Sequence, residues 1–159
     1  MRSEVDKKVA PCDSAGRRVD VGPLAGKVGY AVRRAQLAMF DEFIAAFADL
    51  NLRLTQYAVL VLLEHAPGLK QSEVAGALCI QRANFVALFD GLERRGLARR
   101  SPTPNDRRSY ALYLTEAGEG VLARAARIDA EPEARLDSRL GPGGRERLLR
   151  LLGQVLVRG

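Results

Sequence analysis

Residues 82–114 constrain the fold most, because they predict an amphipathic helix followed at once by two short strands. The apolar residues of the helix recur at i, i+3, i+4 and i+7, namely Phe85, Leu88, Phe89 and Leu92. Gly96 is a suitable C-cap, so we expect the helix to begin near Arg82 and to end at this glycine. Residues 97–101 and 109–114 then predict a β-hairpin around a turn rich in Pro, Asn and Asp.

Two shorter helices are predicted before this segment. Thr55 is a good N-cap for a helix that ends near His65. Another helix is predicted at about Gln71–Leu78, and a turn at Cys79 separates it from the next helix. Three helices and a hairpin therefore follow one another in the middle of the chain.

Longer helices are predicted on either side of this central region. From Leu24 to Leu50 the pattern is helical and apolar nearly all round, which indicates a subunit interface, a ligand cavity or both. Thr115 starts a helix to about Asp129, where Pro132 then breaks or kinks the path. A glycine-rich turn at 141–144 precedes a last helix. Its apolar stripe is too large to leave exposed, so we expect a homodimer; the stripe comprises Leu148, Leu149, Leu152, Val155 and Leu156.

The positive charge of the chain is concentrated in one segment. The net charge is +6, and residues 82–108 hold seven arginines and three acidic residues, a balance of +4. These arginines are Arg82, Arg94, Arg95, Arg99, Arg100, Arg107 and Arg108. A charge run is often only a solvated face, but here it coincides with the helix and the hairpin, and this favours an anionic partner.

Composition excludes several classes of protein. With 159 residues, 47% of them hydrophobic, the chain fits one compact domain with a core. It lacks a signal peptide and an apolar run that could cross a bilayer, so we expect a cytoplasmic protein without a membrane partner. Two cysteines and one histidine supply no disulfide framework, metal site or Ser/His/Asp set. Phosphate-binding loops are also missing, so we expect neither a cofactor nor an enzyme.

Six short stretches of sequence occur in a characteristic order. They are LTQYAVL (54–60), GLKQSEVA (68–75), IQRAN (80–84), LERRGL (92–97), PNDRR (104–108) and LTEAG (114–118). In this order and spacing the sequence resembles the MarR family of bacterial regulators. The resemblance implies a mainly α-helical fold with a small β-hairpin wing, a winged helix-turn-helix assembled as an intertwined homodimer. It also implies that a small ligand relieves repression.

The sequence is expected to divide into four parts. Residues 1–21 mix polar and charged residues without a period, so we expect a mobile N-terminal arm, and we expect residues 22–54 to form a first helix for dimerisation and ligand binding. Residues 55–115 form the winged helix-turn-helix that binds double-stranded DNA. Residues 116–159 form the C-terminal dimerisation helices.

The residues expected to bind DNA lie in the recognition helix and in the wing. They are Gln81, Arg82, Ala83, Asn84, Ala87, Asp106, Arg107 and Arg108. Asn84 can pair bidentately with adenine and Arg82 with guanine, whereas Gln81 either contacts a base or caps the helix. The resemblance implies that Arg108 enters the minor groove. Asp106 either braces the wing arginines or is an ordinary turn residue.

A second similarity concerns the effector. The stretches YAVRRAQ (30–36) and IQRANFV (80–86) resemble the regulators that control breakdown of aromatic acids and hydroxycinnamates, whose inducers are aromatic acids or their coenzyme A thioesters. The expected ligand-binding residues are Tyr30, Arg33, Arg34, Leu37, Phe40 and Phe43. A guanidinium at the edge of an apolar cavity suits a carboxylate or a phosphate. Alternatively, the two arginines extend to solvent or form salt bridges between subunits.

The remaining hypotheses differ in whether a cysteine thiol acts as the signal. Cys79 stands where the turn of this family often has Gly. If φ at this position is positive, the backbone conformation costs free energy, because cysteine has a Cβ. We interpret Cys79 as a buried structural thiol and Cys12 as an inert thiol of the arm, and do not expect peroxide to be the signal. The favoured hypothesis is a repressor released from a pseudo-palindromic operator by a small aromatic acid or its coenzyme A thioester. The alternatives are a thiol-based redox sensor of the same fold and a ligand-independent architectural DNA-binding protein.

Overall fold

A computed structural model describes residue 17 and residues 19–103 and 106–156, with the backbone alone at 106–109. Most of the predicted N-terminal arm therefore lies outside the described residues. The chain divides into two compact units, one ending at Asp41 and the other beginning at Glu42.

Helices dominate the described chain. Two short 3-10 helices lie at Gly22–Gly26 and Ala48–Leu50. The other elements are α1 (Val28–Ala46), α2 (Leu54–His65), α3 (Gln71–Ala77), α4 (Arg82–Arg94), β1 (Ala98–Thr103), β2 (Asp106–Leu114), α5 (Glu116–Leu140) and α6 (Gly144–Leu156). The strands form an antiparallel pair, which confirms a mainly helical fold with a small hairpin. In the part of the chain that is described, no helix has the length and apolarity needed to cross a bilayer.

The core of the second unit joins α2, α3, α4, β2 and α5. Its fully buried side chains include Val59, Leu60, Leu63, Val74, Phe85, Phe89, Leu92 and Leu112. Three of the four residues of the predicted apolar face of α4 are buried, and Leu88 is half-buried. The i, i+3, i+4 and i+7 spacing therefore identified the buried side of α4.

Aromatic rings connect the end of α1 to α2 within the second unit. The rings of Phe43 and Phe47 stack with their centroids 3.8 Å apart, and the Tyr57 ring lies 5.3 Å from that of Phe47. The Tyr57 hydroxyl donates a hydrogen bond of 3.2 Å to Asp129 Oδ2, which links α2 to α5.

The Tyr57–Asp129 pair is partly withdrawn from water. Burial, reinforced by the nearby Asp129 carboxylate, raises the pKa of Tyr57 to about 12. Burial also raises the pKa of Asp129, and the hydrogen bond from Tyr57 opposes that rise. Because the tyrosine pKa is higher in the folded chain, its contribution to stability is fully present below about pH 10 and is lost as pH rises through about 12.

Several predicted helix boundaries were wrong. The region from Leu24 to Leu50 contains one α-helix flanked by 3-10 turns rather than a continuous helix. Thr55 lies inside α2, because Arg53 is the N-cap and its backbone N–H donates to Gln56 Oε1 at 3.1 Å. Gln56, three residues after the N-cap, thus satisfies the backbone N–H of Arg53, as in a capping box.

α5 does not end near Asp129, where the sequence predicted it to end before a break or a kink at Pro132. The helix continues through it to Leu140. A proline removes one hydrogen bond from the helix backbone, and ion pairs flank this position. Arg145 of α6 contacts Glu133 at 2.6 Å and Asp137 at 2.7 Å, and Arg139 contacts Glu42 at 2.9 Å. These long-range pairs hold the second half of α5, and they cannot be predicted from local helix propensity.

Cys79 adopts the left-handed backbone conformation that the missing glycine would favour. Its φ is 52°, and its thiol is free and exposed. The interpretation of Cys79 as a buried structural thiol was therefore wrong, and so was the apolar shielding that it implied. The turn between α3 and α4 forces the conformation, because the Ile80 N–H must reach the Ala75 carbonyl at 2.8 Å.

The last helix leaves an apolar stripe open in the single chain. Leu149 is 61% exposed and Leu156 is 79% exposed. Leu151 and Val155 are also exposed, whereas Leu148 and Leu152 are half-buried. The stripe that the sequence predicted is thus present and largely uncovered.

Replacing Gly118 with alanine is expected to destabilise the protein, because α5 packs closely against the start of β1. A Cβ at Gly118 would lie 2.0 Å from the Leu97 carbonyl oxygen and 2.8 Å from Leu114 Cδ1. Overpacking of this kind costs roughly 1–3 kcal/mol or more, which thermal unfolding of Gly118→Ala measures. Gly120→Ala is the matched control, since nothing lies within 4 Å of its Cβ position. It should gain up to about 1 kcal/mol from helix propensity. Equal stability of the two variants would contradict the packing described here.

Replacing Cys79 with glycine is expected to stabilise the protein. The left-handed conformation costs a non-glycine residue roughly 1–2 kcal/mol, partly offset by the greater backbone entropy that glycine loses on folding. We expect Cys79→Gly to raise the free energy of unfolding by up to about 1 kcal/mol, measured by urea denaturation. Cys79→Ala keeps the strain and should not gain stability. A less stable Cys79→Gly variant would show that the thiol side chain contributes more than the strain costs.

Candidate nucleic-acid interface

The predicted base-contacting residues share one exposed surface at the start of α4. Gln81 is the N-cap of α4, and its side chain makes no capping hydrogen bond. Arg82, Ala83, Asn84 and Ala87 are exposed, whereas Phe85 between them points into the core. This surface carries donors, acceptors and two small alanines but no carboxylate. It can therefore approach a polyanion closely and present hydrogen-bonding groups to it.

A cleft of about 700 Å³ runs between α4 and the start of α2. Asn84 and Ala87 line it from α4, and Arg53 and Thr55 line it from the other side. Three arginines and no acidic residue line the cleft. Arg53 and Thr55 were not among the predicted DNA-binding residues, because their position beside α4 depends on the packing of α2 rather than on any local pattern.

The arginines of the basic segment have different roles. Arg95 donates to the carbonyls of Asn51 and Leu50 at 2.7 and 3.0 Å, and so ties the end of α4 to the turn before α2. Arg100 forms ion pairs with Asp90 and Glu93 of α4. Arg82 and Arg94 are exposed. The seven arginines therefore do not form a single anion-binding patch, because at least two of them hold the fold together.

The hairpin is longer than predicted and is anchored at its base. Residues pair from Ala98 with Leu114 to Pro102 with Tyr110, and the register shifts between Pro102 and Thr103. The backbone of Leu112 accepts a hydrogen bond from Gly68 and donates one to Leu69, both of 2.9 Å. This second pairing holds β2 against the segment before α3.

The predicted wing residues lie at the far end of the hairpin. Asp106, Arg107 and Arg108 belong to strand β2. Their side chains lie outside the described residues, so their roles remain predictions.

The candidate ligand residues fall into two groups. In the first unit, Arg33 is exposed, the Arg34 Cζ lies 5.9 Å from the centroid of the Tyr30 ring, and Leu37 and Phe40 are 48% and 38% exposed. In the second unit, Phe43 is buried and stacks on Phe47. Phe43 is thus part of the core of its own unit, and a contact with a ligand remains a prediction for all six residues.

Comparisons with known proteins agree on one family. The model of the MarR family matches residues 52–110, which include α2, α3, α4 and β1. A protein of Thauera aromatica, named as a transcriptional regulatory protein for the hcr operon, is 33% identical over 135 residues, covering 84% of this chain and 81% of its own.

Two solved structures of the transcriptional repressor CouR are also similar. CouR bound to a 23-mer DNA duplex is 42% identical with a TM-score of 0.84, and the match covers 88% of this chain and 99% of that one. CouR bound to p-coumaroyl-CoA is 39% identical with a TM-score of 0.82, covering 89% of this chain and 100% of that one. These relatives are regulators and not enzymes, and the chain described here belongs to the MarR family of transcriptional regulators.

Proposed function

We propose that this protein is a cytoplasmic repressor that binds a pseudo-palindromic operator as a homodimer and leaves it when a small aromatic acid, or its coenzyme A thioester, binds. The observation that carries the DNA-binding part is the exposed face of α4. Asn84 and Arg82 stand there beside Ala83 and Ala87, without a carboxylate, over a buried apolar face.

The chemistry of this face suits the major groove. The Asn84 amide can donate to and accept from adenine, and the Arg82 guanidinium can donate two hydrogen bonds to guanine. Each such bidentate pair supplies about 1–3 kcal/mol of discrimination against the wrong base. Ala83 and Ala87 let the helix axis approach the base edges. Gln81 makes no capping bond and so has its amide available for a base or a phosphate.

The wing supplies the second contact in this proposal. In it, Arg107 and Arg108 enter a narrow, negatively charged minor groove, and Asp106 is the brace that orients them. The support for this is the position of these three residues at the far end of an anchored hairpin.

A second copy of the chain is the partner we assign to the open apolar stripe of α6. Leu149, Val155 and Leu156 are each more than half exposed, which is costly for a helix without a partner. Dimerisation through the first and last helices would also place two copies of α4 on successive turns of DNA, about 34–36 Å apart.

The proposed effector site lies on α1. Exposed Leu37 and Phe40 can take a flat ring, and Arg33 and Arg34 can take a carboxylate or the phosphates of coenzyme A. The similarity to CouR, of which one structure contains p-coumaroyl-CoA, supports this class of effector. A hundredfold preference of the ligand for the DNA-free form corresponds to about 2.7 kcal/mol of coupling.

Substitutions in α4 and in the wing are expected to weaken DNA binding in different ways. The operator can be recovered by selection from a random duplex library. Asn84→Ala should lose roughly 1–3 kcal/mol of discrimination at one base pair per half-site. Arg108→Ala should weaken binding to all sequences and reduce the salt dependence of binding. The reason is that it removes a positive charge from the minor groove, where the potential of the DNA phosphates is negative.

The control for these variants is Arg124→Ala, which removes an exposed arginine of α5 and changes the net charge as Arg108→Ala does. It should bind operator as the parent protein does. If Asn84→Ala keeps the full sequence preference of the parent, α4 is not the helix that contacts the bases.

Removing either arginine of α1 is expected to weaken binding of the effector. A charge-assisted hydrogen bond contributes about 1.5–3 kcal/mol, so Arg33→Ala or Arg34→Ala should lower the affinity for p-coumaroyl-CoA roughly 10- to 100-fold. Calorimetric titration of the free protein measures this, and titration of the operator complex measures the coupling. Lys27→Ala, an exposed cation just before α1, is the matched control. Unchanged affinity in both arginine variants would remove the anion site, and equal affinity with and without operator would remove the allosteric release.

A further inference from the structure

We infer that Arg100 is a positioning residue that fixes the angle between the recognition helix α4 and the wing, so that both engage DNA at once. The inference rests on the proposed function, because it assumes that α4 enters the major groove and that the hairpin tip enters the minor groove.

Arg100 lies on β1, but nearly all of its side-chain contacts are with α4. Its Nη2 donates to Asp90 Oδ1 at 2.7 Å, and its Nη1 donates to Glu93 Oε2. Its backbone N–H donates to Glu93 Oε1 at 3.0 Å, and its Cζ lies 4.7 Å from the centroid of the Phe89 ring. Phe89, Asp90 and Glu93, which share one side of α4, thus hold one guanidinium.

The contact is rigid because it is withdrawn from water. The Arg100 side chain is only 15% exposed. Its Nε is buried and has no hydrogen-bond partner among the described residues. An arginine held by two carboxylates and an aromatic ring cannot change orientation without losing several contacts together. Lysine could keep the charge but not the planar fork.

The position of this contact determines what it controls. We call these contacts of Arg100 with α4 the clamp. Asp90 and Glu93 belong to the same helix as Arg82 and Asn84, so the clamp is fixed relative to the base-contacting face. On the other side, Arg100 pairs with Leu112 in the hairpin, two residues before the register shift that leads to the tip. Arg100 therefore joins α4 directly to the hairpin, in addition to the backbone bonds of Leu112 that hold β2 against the segment before α3.

The clamp also offsets part of the negative charge of the DNA-facing helix. Asp90 and Glu93 are the acidic residues of α4, and Arg100 pairs with both. Arg99, its neighbour on β1, is exposed and lies 4.7 Å from the Tyr113 ring instead. Arg99 therefore offers a matched control on the same strand.

The test is a double-mutant cycle on operator binding. We expect Arg100→Lys to weaken operator binding about tenfold in the parent protein and in the Asn84→Ala background, since it acts on the wing. In the Arg108→Ala background the same substitution should have little further effect, because the wing contact is already lost. Arg99→Lys should bind as the parent does. Hydroxyl-radical cleavage of the operator should show minor-groove protection lost in Arg100→Lys while guanine N7 protection persists.

A purely structural role gives a different result. Equal losses in all three backgrounds, or loss of both kinds of protection together, would overturn the inference, as would unchanged binding by Arg100→Lys. Thermal unfolding confirms that each variant is folded at the assay temperature, and Glu93→Gln, which removes one partner and leaves Arg100 in place, should reproduce the wing-specific loss. If the parent protein protects neither groove of the selected operator, the proposed function itself fails. Protection of the major groove alone would leave α4 as the recognition helix and contradict both the wing and the role of Arg100.

Discussion

The structure depends on the burial of one face of α4. Phe85, Phe89 and Leu92 are essentially inaccessible to solvent. Burial of such side chains contributes roughly 1.5–3 kcal/mol each, so rotating the helix to expose them would cost more than any contact on its outer face could recover. The orientation of α4 is thus set by hydrophobic packing, and the face with Arg82 and Asn84 is outward as a consequence. The proposed DNA contacts are made by the residues of α4 that this packing leaves exposed.

The polar interactions around α4 are organised by this orientation. At its C-terminal end Arg95 reaches back to the carbonyls before α2, and Arg100 reaches in from β1. The N-terminal half carries no such contacts to other elements among the described residues, and it borders a cleft free of carboxylates. The polar contacts of α4 with other elements are therefore concentrated at its C-terminal end, and the proposed function assigns the N-terminal half to DNA.

Much of this fold could be predicted from periodicity. The apolar spacing of α4 and the Thr115 cap each depend on local sequence, and the Thr115 hydroxyl does accept from the Gly118 N–H at 3.1 Å. Two of the errors arose where residues distant along the chain decide the outcome. Ion pairs to α6 and to Glu42 accompany the passage of α5 through Pro132, and carboxylates ten and seven residues away along the chain withdraw Arg100 from the surface. The count of charged residues could not distinguish Arg95 and Arg100 from the other five arginines of residues 82–108.

The central claim is that two copies of α4 contact the bases of one operator. The most direct measurement is protection of guanine N7 from methylation along the selected operator, which reports occupancy of the major groove. The account predicts two protected clusters related by two-fold symmetry and separated by about 34–36 Å, or a whole multiple of that distance. Protection confined to a single cluster, or binding without any protection of the major groove, would contradict it.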